Sequence, residues 1–228
     1  MNVARFLALC ALLVTLSVAA SGQSTAWSTF LIGSVMENNG EEQAFGTDRV
    51  QFYQPNSAIA AEVNYRRYGF GKWSFETGVR LSSRNFKTIR FGAPTPSASG
   101  GVERRGRIQG GYLTSLAVPV RVFYGTHRAH RTDANRSSGF YAGGMLRINA
   151  NYGRGDLSGL QYAIYRAVHP RLSPSLLAGA RTRGRLLNLQ LEVELPLMAG
   201  QHTVAVDNTD YRFRFREFRF SVGVGHTF

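Results

Sequence analysis

A two-residue alternation of apolar and polar side chains runs through most of this chain, and it commits the chain to β-strands with two unlike faces. Ile59, Ala61, Val63 and Tyr65 interleave with Ala60, Glu62, Asn64 and Arg66. After a Gly-Phe-Gly-Lys turn, Trp73, Phe75, Thr77, Val79 and Leu81 interleave with Ser74, Glu76, Gly78, Arg80 and Ser82. Tyr112, Leu116, Val118, Val120, Val122 and Tyr124 share a face opposite Ser115, Pro119 and Arg121. Phe140, Ala142, Leu146, Ile148, Ala150 and Tyr152 oppose Tyr141, Arg147, Asn149 and Asn151. Leu187 to Leu197 alternate with Asn188, Gln190, Glu192 and Glu194, and Phe218, Phe220, Val222, Val224 and Phe228 alternate with Arg219, Ser221, Gly223, Gly225 and Thr227. Weaker alternation near 26–36 and 173–182, where Arg181 falls on the polar side, brings the number of expected strands to eight.

The amino terminus obeys a different rule. One Arg precedes a fifteen-residue apolar run from Phe6 to Ala20, with small residues next at Ser21 and Gly22. That is the pattern of a cleaved export signal, with cleavage after Ala20 or after Gly22 equally readable. Residues 1–22 are therefore expected to be removed and 23–228 to form one domain. The single cysteine, Cys10, lies in the signal, so the mature chain offers no thiol for a disulfide, a nucleophile or a metal. No later stretch approaches the ~18 apolar residues of a spanning helix.

Such strands suit a secreted soluble barrel or sandwich with an apolar core binding a small apolar ligand, or a membrane barrel with its apolar face in lipid. Three features favour the second. The minor face mixes Glu62, Glu76, Glu192 and Glu194 with Arg66, Arg80, Arg121, Arg147 and Arg181, as an ion-paired lumen would, with Glu192 and Glu194 expected to stand against Arg121, Arg147 and Arg181 from the far side. The expected connections 37–56, 69–72, 92–107, 125–138, 153–172, 183–184 and 198–210 alternate long and short, with 125–138 the exception. Long outer loops and short periplasmic turns produce this pattern. Aromatic residues also cluster at strand ends: Tyr65, Trp73, Tyr124, Phe140 and Phe228 at one level, Phe86, Phe91, Tyr112 and Tyr152 at the other. Rings at both levels match the headgroup girdles of a membrane barrel. The expected fold is all-β: an eight-stranded antiparallel transmembrane β-barrel with long outer loops, shorter periplasmic turns and both termini periplasmic.

The run from Tyr112 to Tyr124, with Pro119 inside a strand, resembles the fourth strand of the small outer-membrane β-barrel domain common in Bacteroidota, the PorT-like and OmpX-like barrels. The run from Trp73 to Arg84 resembles that family's third strand, and Phe218 to Phe228 its terminal strand. The likeness covers about residues 24–228. It implies location in the bacterial outer membrane and a structural or interaction role, with a secretion or envelope assembly as the setting. The resemblance offers no catalytic residue to carry over. It also implies that Phe218, Phe220, Val222, Val224 and Phe228 form the signal read by the barrel-insertion machinery.

Basic residues outnumber acidic ones 27 to 14, and all but two of the cations are Arg. They are scattered along an exported chain, so nucleic acid is not an expected partner. Arg104, Arg105 and Arg107, with Arg212, Arg214 and Arg216, fall in expected outer loops and could fork onto lipopolysaccharide phosphates. His127 and His130 stand close to Arg128, Arg131 and Arg136, whose charge repels a divalent metal. The His-x-Ser pair of barrel deacylases is absent; His226 precedes Thr227 and Phe228. Arg154-Gly155-Asp156 is ordinary turn composition. No enzyme activity and no cofactor are expected. The expected state is a monomeric barrel in outer-membrane lipid and lipopolysaccharide, with an unidentified envelope protein as a candidate partner. A small-solute channel is the alternative. An eight-stranded barrel is just wide enough for side chains to fill it, which favours paired filler over an open path.

Overall fold

The computed structural model describes residues 25–38, 43–45, 48–52, 56–69, 72–91, 95–96, 102–103, 106–125, 137–155, 157, 159–184, 186–197, 200–206, 209–215 and 217–228. Residues 1–22, read as an export signal, and His127 and His130 lie outside the described residues. Eight strands form a closed ring: β1 (Thr25–Asn38), β2 (Asn56–Tyr68), β3 (Trp73–Phe91), β4 (Gly106–Gly125), β5 (Ser137–Gly153), β6 (Leu172–Arg183), β7 (Asn188–Pro196) and β8 (Glu217–Thr227). Each is antiparallel to both neighbours, and β1 closes the ring by pairing with β8, for example Ser28 with Thr227. Closure leaves the barrel wall with no unpaired edge, the condition for backbone to cross lipid.

One end carries the tight turns. Gly69 N donates to Trp73 O at 3.0 Å and Gly184 N to Leu187 O at 2.8 Å, so the last short connection spans 184–187 and not 183–184. The other end carries the long connections, and these are not plain loops. Gln43–Phe45 and Asp48–Phe52 form a hairpin that continues the upper edge of β3. Gly200–Val206 pairs with Thr209–Phe215 in a separate hairpin. The alternating Arg run thus pairs outside the barrel, and the barrel strand restarts at Glu217. The phase slip at Arg216-Glu217 reads in the sequence as a bulge where the strand leaves the membrane; in the structure Thr209–Phe215 and Glu217–Thr227 are two strands with different partners.

The faces are inverted relative to a soluble protein. Ile59 is 66% exposed and Leu191 58%, whereas Glu62 is 1% exposed and Arg121 0%. Lipid is the solvent that accepts such an outer wall, because a contiguous apolar belt facing water is an association liability. At the turn end Trp27 packs on Tyr65 with ring centroids 5.1 Å apart and Trp73 on Tyr124 at 4.9 Å, beside exposed Phe140 and Phe228. At the loop end Tyr112 is exposed, while the side chains of Phe86 and Phe91 lie outside the described residues. Tyr152 departs from the expected belt. The β4–β5 register shifts as Thr114 pairs with Asn151 and Ser115 with Asn149, leaving Ala150 as an extra residue. Such a bulge reverses the facing of the residues beyond it. Asn151 is consequently exposed, and the Tyr152 hydroxyl donates to His169 O at 2.6 Å.

The 154–171 connection holds α1 (Gly159–Val168), which the two-residue pattern does not foreshadow. Its Gln161, Ile164, Tyr165 and Val168 are buried, at helical spacing. Tyr165 packs on Tyr152 at 5.8 Å and on His169 at 5.2 Å between ring centroids, which ties the helix to the loop end of β5. Gly155, at φ 56°, makes the turn before it, and Arg154 Nε donates to Leu157 O at 2.9 Å. Among the described residues no helix is long and apolar enough to cross a membrane.

Candidate functional site

The inward faces of the strands meet in two layers of charge. In the turn-side layer, hairpin register sets Glu62 opposite Arg80 and Arg66 opposite Glu76, and β3–β4 register sets Glu76 opposite Arg121. Arg80 Nε lies 2.5 Å from Glu62 Oε2, and Arg66 Nε 3.1 Å from Glu76 Oε2. Arg121 touches three carboxylates: Glu62 at 2.9 Å, Glu76 at 3.0 Å and Glu192 at 2.9 Å. Arg80 Nη2 stands 2.7 Å from Glu192 Oε1, a charge contact without hydrogen-bond geometry. Strands β3 and β7 are four apart in a ring of eight, so this contact crosses the full bore.

Neutral donors and rings complete the layer. Asn64 Nδ2 donates to Glu62 at 2.7 Å, and the Tyr141 hydroxyl to Glu192 at 2.9 Å. Arg181 reaches Glu76 at 2.5 Å and also donates to Gln190 Oε1. The sequence sets it against the β7 carboxylates; in the structure it points across to β3. Flat faces of Phe30 and Phe123 hold its guanidinium, whose carbon is 4.4 and 4.9 Å from their centroids. The carbon of Arg66 lies 3.6 Å from the Phe123 centroid. A guanidinium over an aromatic ring gains a cation–π attraction besides its hydrogen bonds to carboxylate.

In the loop-side layer Arg147 Nη2 donates to both oxygens of Glu194 at 2.8 Å, and Arg219 Nη1 to Glu194 at 2.9 Å. Arg84 Nη1 is 2.9 Å from Glu217, Arg219 Nη2 3.1 Å, and His169 Nε2 3.4 Å. Arg84, Glu217 and His169 are not among the expected pairs. Arg84 continues the inward series of Arg80 and Ser82, so its facing is readable from sequence; His169 comes just after α1, which the strand pattern conceals. Small apolar groups fill between charges, with Phe30, Ile32 and Ala60 on one side and Ala117, Met145 and Leu177 on another.

A buried ion pair only partly offsets its own desolvation, whereas an unpaired buried charge costs several kcal/mol. Among the described residues no group of three His, Cys, Asp or Glu is placed to hold a metal. The side chains of Arg104, Arg105, Arg107, Arg212, Arg214 and Arg216 lie outside the described residues. Phe220, Val222, Val224 and Phe228 are exposed on the outer face of β8, while Phe218 is half-buried.

No protein-family model matches the sequence, and no curated protein matches it. Among solved structures, Ail of Yersinia pestis in complex with sucrose octasulfate is 11% identical, with TM-score 0.40, covering 90% of this chain and 99% of that one. The outer-membrane protein OprG of Pseudomonas aeruginosa is 10% identical, with TM-score 0.47, covering 90% and 97%. The outer-membrane protein AlkL, solved in lipid bilayers, is 14% identical, with TM-score 0.40, covering 92% and 93%. The closed ring, the lipid-compatible wall and the charged interior together make this chain an eight-stranded antiparallel transmembrane β-barrel.

Proposed function

We propose that the chain is a monomeric outer-membrane barrel with a sealed interior, serving the envelope as a structural or interaction protein and neither conducting solutes nor catalysing a reaction. The Arg80–Glu192 contact across the full bore, with both side chains buried, carries this reading. Arg121 adds a second bridge, from β4 to β7. A solute path would have to break these contacts and desolvate their charges. The expected export signal in residues 1–22 and the aromatic belt at the turn end support the outer membrane as its location. The likeness of its strands to PorT-like barrels supports a secretion or envelope assembly, with the long-loop end as the face offered to a partner or to lipopolysaccharide phosphates.

Fractionation tests the location. The protein should sediment with outer membranes and migrate differently in gels before and after boiling; recovery in the periplasm with unchanged mobility would contradict it. The β8 outer face supplies the insertion signal in this reading. Deleting Phe228 should reduce the amount of assembled, heat-modifiable barrel severalfold at equal synthesis. Normal assembly of the truncated chain would remove the terminal aromatic from that role.

A further inference from the structure

Charge in the turn-side layer does not close. Glu62 and Glu192 are shared between Arg80 and Arg121. Glu76 is left to Arg66 and Arg181, besides its contact with Arg121. The surplus cation therefore sits at the turn end, where Arg183 adds another. A cavity of about 20 Å³ opens there, lined by Arg66, Arg181, Arg183, Ser28, Asn188 and Thr227 and by no carboxylate. That is room for one water-sized occupant. Arg66 Nη2 is buried without a hydrogen-bond partner, and Asn188 Nδ2 donates to Thr227 Oγ1 at 2.6 Å, which leaves the Thr227 hydroxyl proton to donate elsewhere.

We propose that this turn-end mouth binds a small inorganic anion of about chloride size. Three arginines line it, and the guanidinium carbons of two of them lie over the rings of Phe123 and Phe30. Fixed donors need little reorganisation to take an anion, and charge-assisted hydrogen bonds are the strong ones. A bound monoanion would offset one of the two excess cations that Glu62, Glu76 and Glu192 leave among Arg66, Arg80, Arg121, Arg181 and Arg183. Because the Arg80–Glu192 and Arg121–Glu192 contacts lie beyond it, the site is a dead end and not an entrance.

The test is a chlorine NMR linewidth titration on the full mature barrel in detergent at constant ionic strength. Saturable broadening is expected. Arg183→Gln should weaken it roughly tenfold or more, the loss for removing one charged hydrogen-bond partner. Arg166→Gln, the same charge change at an exposed position of α1, should leave it unaltered. Heat-modifiable mobility checks that each variant is folded, and Arg183→Lys, which keeps the charge, should retain part of the binding. Competition by millimolar phosphate, which is too large for the cavity, would overturn a chloride-sized site; its failure would support one. Absence of saturable broadening, or equal loss in Arg183→Gln and Arg166→Gln, would overturn the site.

Discussion

Replacing Glu76 with Gln should destabilise the folded barrel by roughly 3–5 kcal/mol. The Glu76 side chain is fully buried and accepts from Arg66, Arg121 and Arg181 at once. Gln keeps one acceptor but brings a donor amide against guanidinium donors, and it removes the carboxylate that pairs Arg66 and Arg181 and one of the three that Arg121 touches. Nothing nearby can compensate, because Glu62 and Glu192 already serve Arg80 and Arg121. Denaturant unfolding monitored by gel mobility in detergent would read the change. A loss of about 0–1 kcal/mol, as for solvated pairs, would mean that water fills the lumen. Adding Arg66→Met to Glu76→Gln should recover part of the loss, since one stranded charge is removed with its partner.

Gly143→Ala should be the most damaging single methyl in the wall, costing more than about 4 kcal/mol or preventing assembly. A Cβ at Gly143 would lie 2.0 Å from Val120 O and 3.0 Å from the Cα of Arg121, both backbone atoms of the paired strand. No rotamer can relieve that clash, so β4 and β5 would have to part where Arg121 enters the lumen. The neighbouring Gly144 is the control. Its Cβ would meet only Ser175 O at 3.6 Å, an ordinary contact, so Gly144→Ala should change stability by about 0.5 kcal/mol or less. Equal effects at the two positions would show that the strands are not as close as the structure has them.

Legibility in the sequence depends on distance along the chain. Strand facing is set by nearest neighbours, so the alternation of Ile59 to Arg66 and of Trp73 to Ser82 is plain to read. A tight turn at 69–72 fixes hairpin register, which brings Glu62 to Arg80 and Arg66 to Glu76 within reach of sequence reasoning. Contacts across the bore depend on closure of all eight strands. Arg121 to Glu192 and Arg80 to Glu192 have no local signature, and for the same reason Arg181 meets Glu76 and Gln190 instead of the β7 carboxylates. The bulge at Ala150 is silent because Asn149 to Tyr152 alternates without a break, and it misdirects both Asn151 and Tyr152. For α1 a signal exists in Gln161, Ile164, Tyr165 and Val168, but one short helical stripe between two long strands is lost in a two-residue pattern. Arg84 is within reach by facing alone, whereas its partner Glu217 lies 133 residues away.

Single-channel recording in planar bilayers addresses the sealed lumen most directly. The full mature barrel, inserted and shown folded by heat-modifiable mobility, should give no stepwise current across the physiological voltage range. Glu76→Gln, which strands Arg66 and Arg181 and loosens the turn-side layer, should give the first measurable events if it folds. Steady ohmic steps from the unaltered barrel, unchanged in Glu76→Gln, would contradict an ion-paired seal and make the protein a channel.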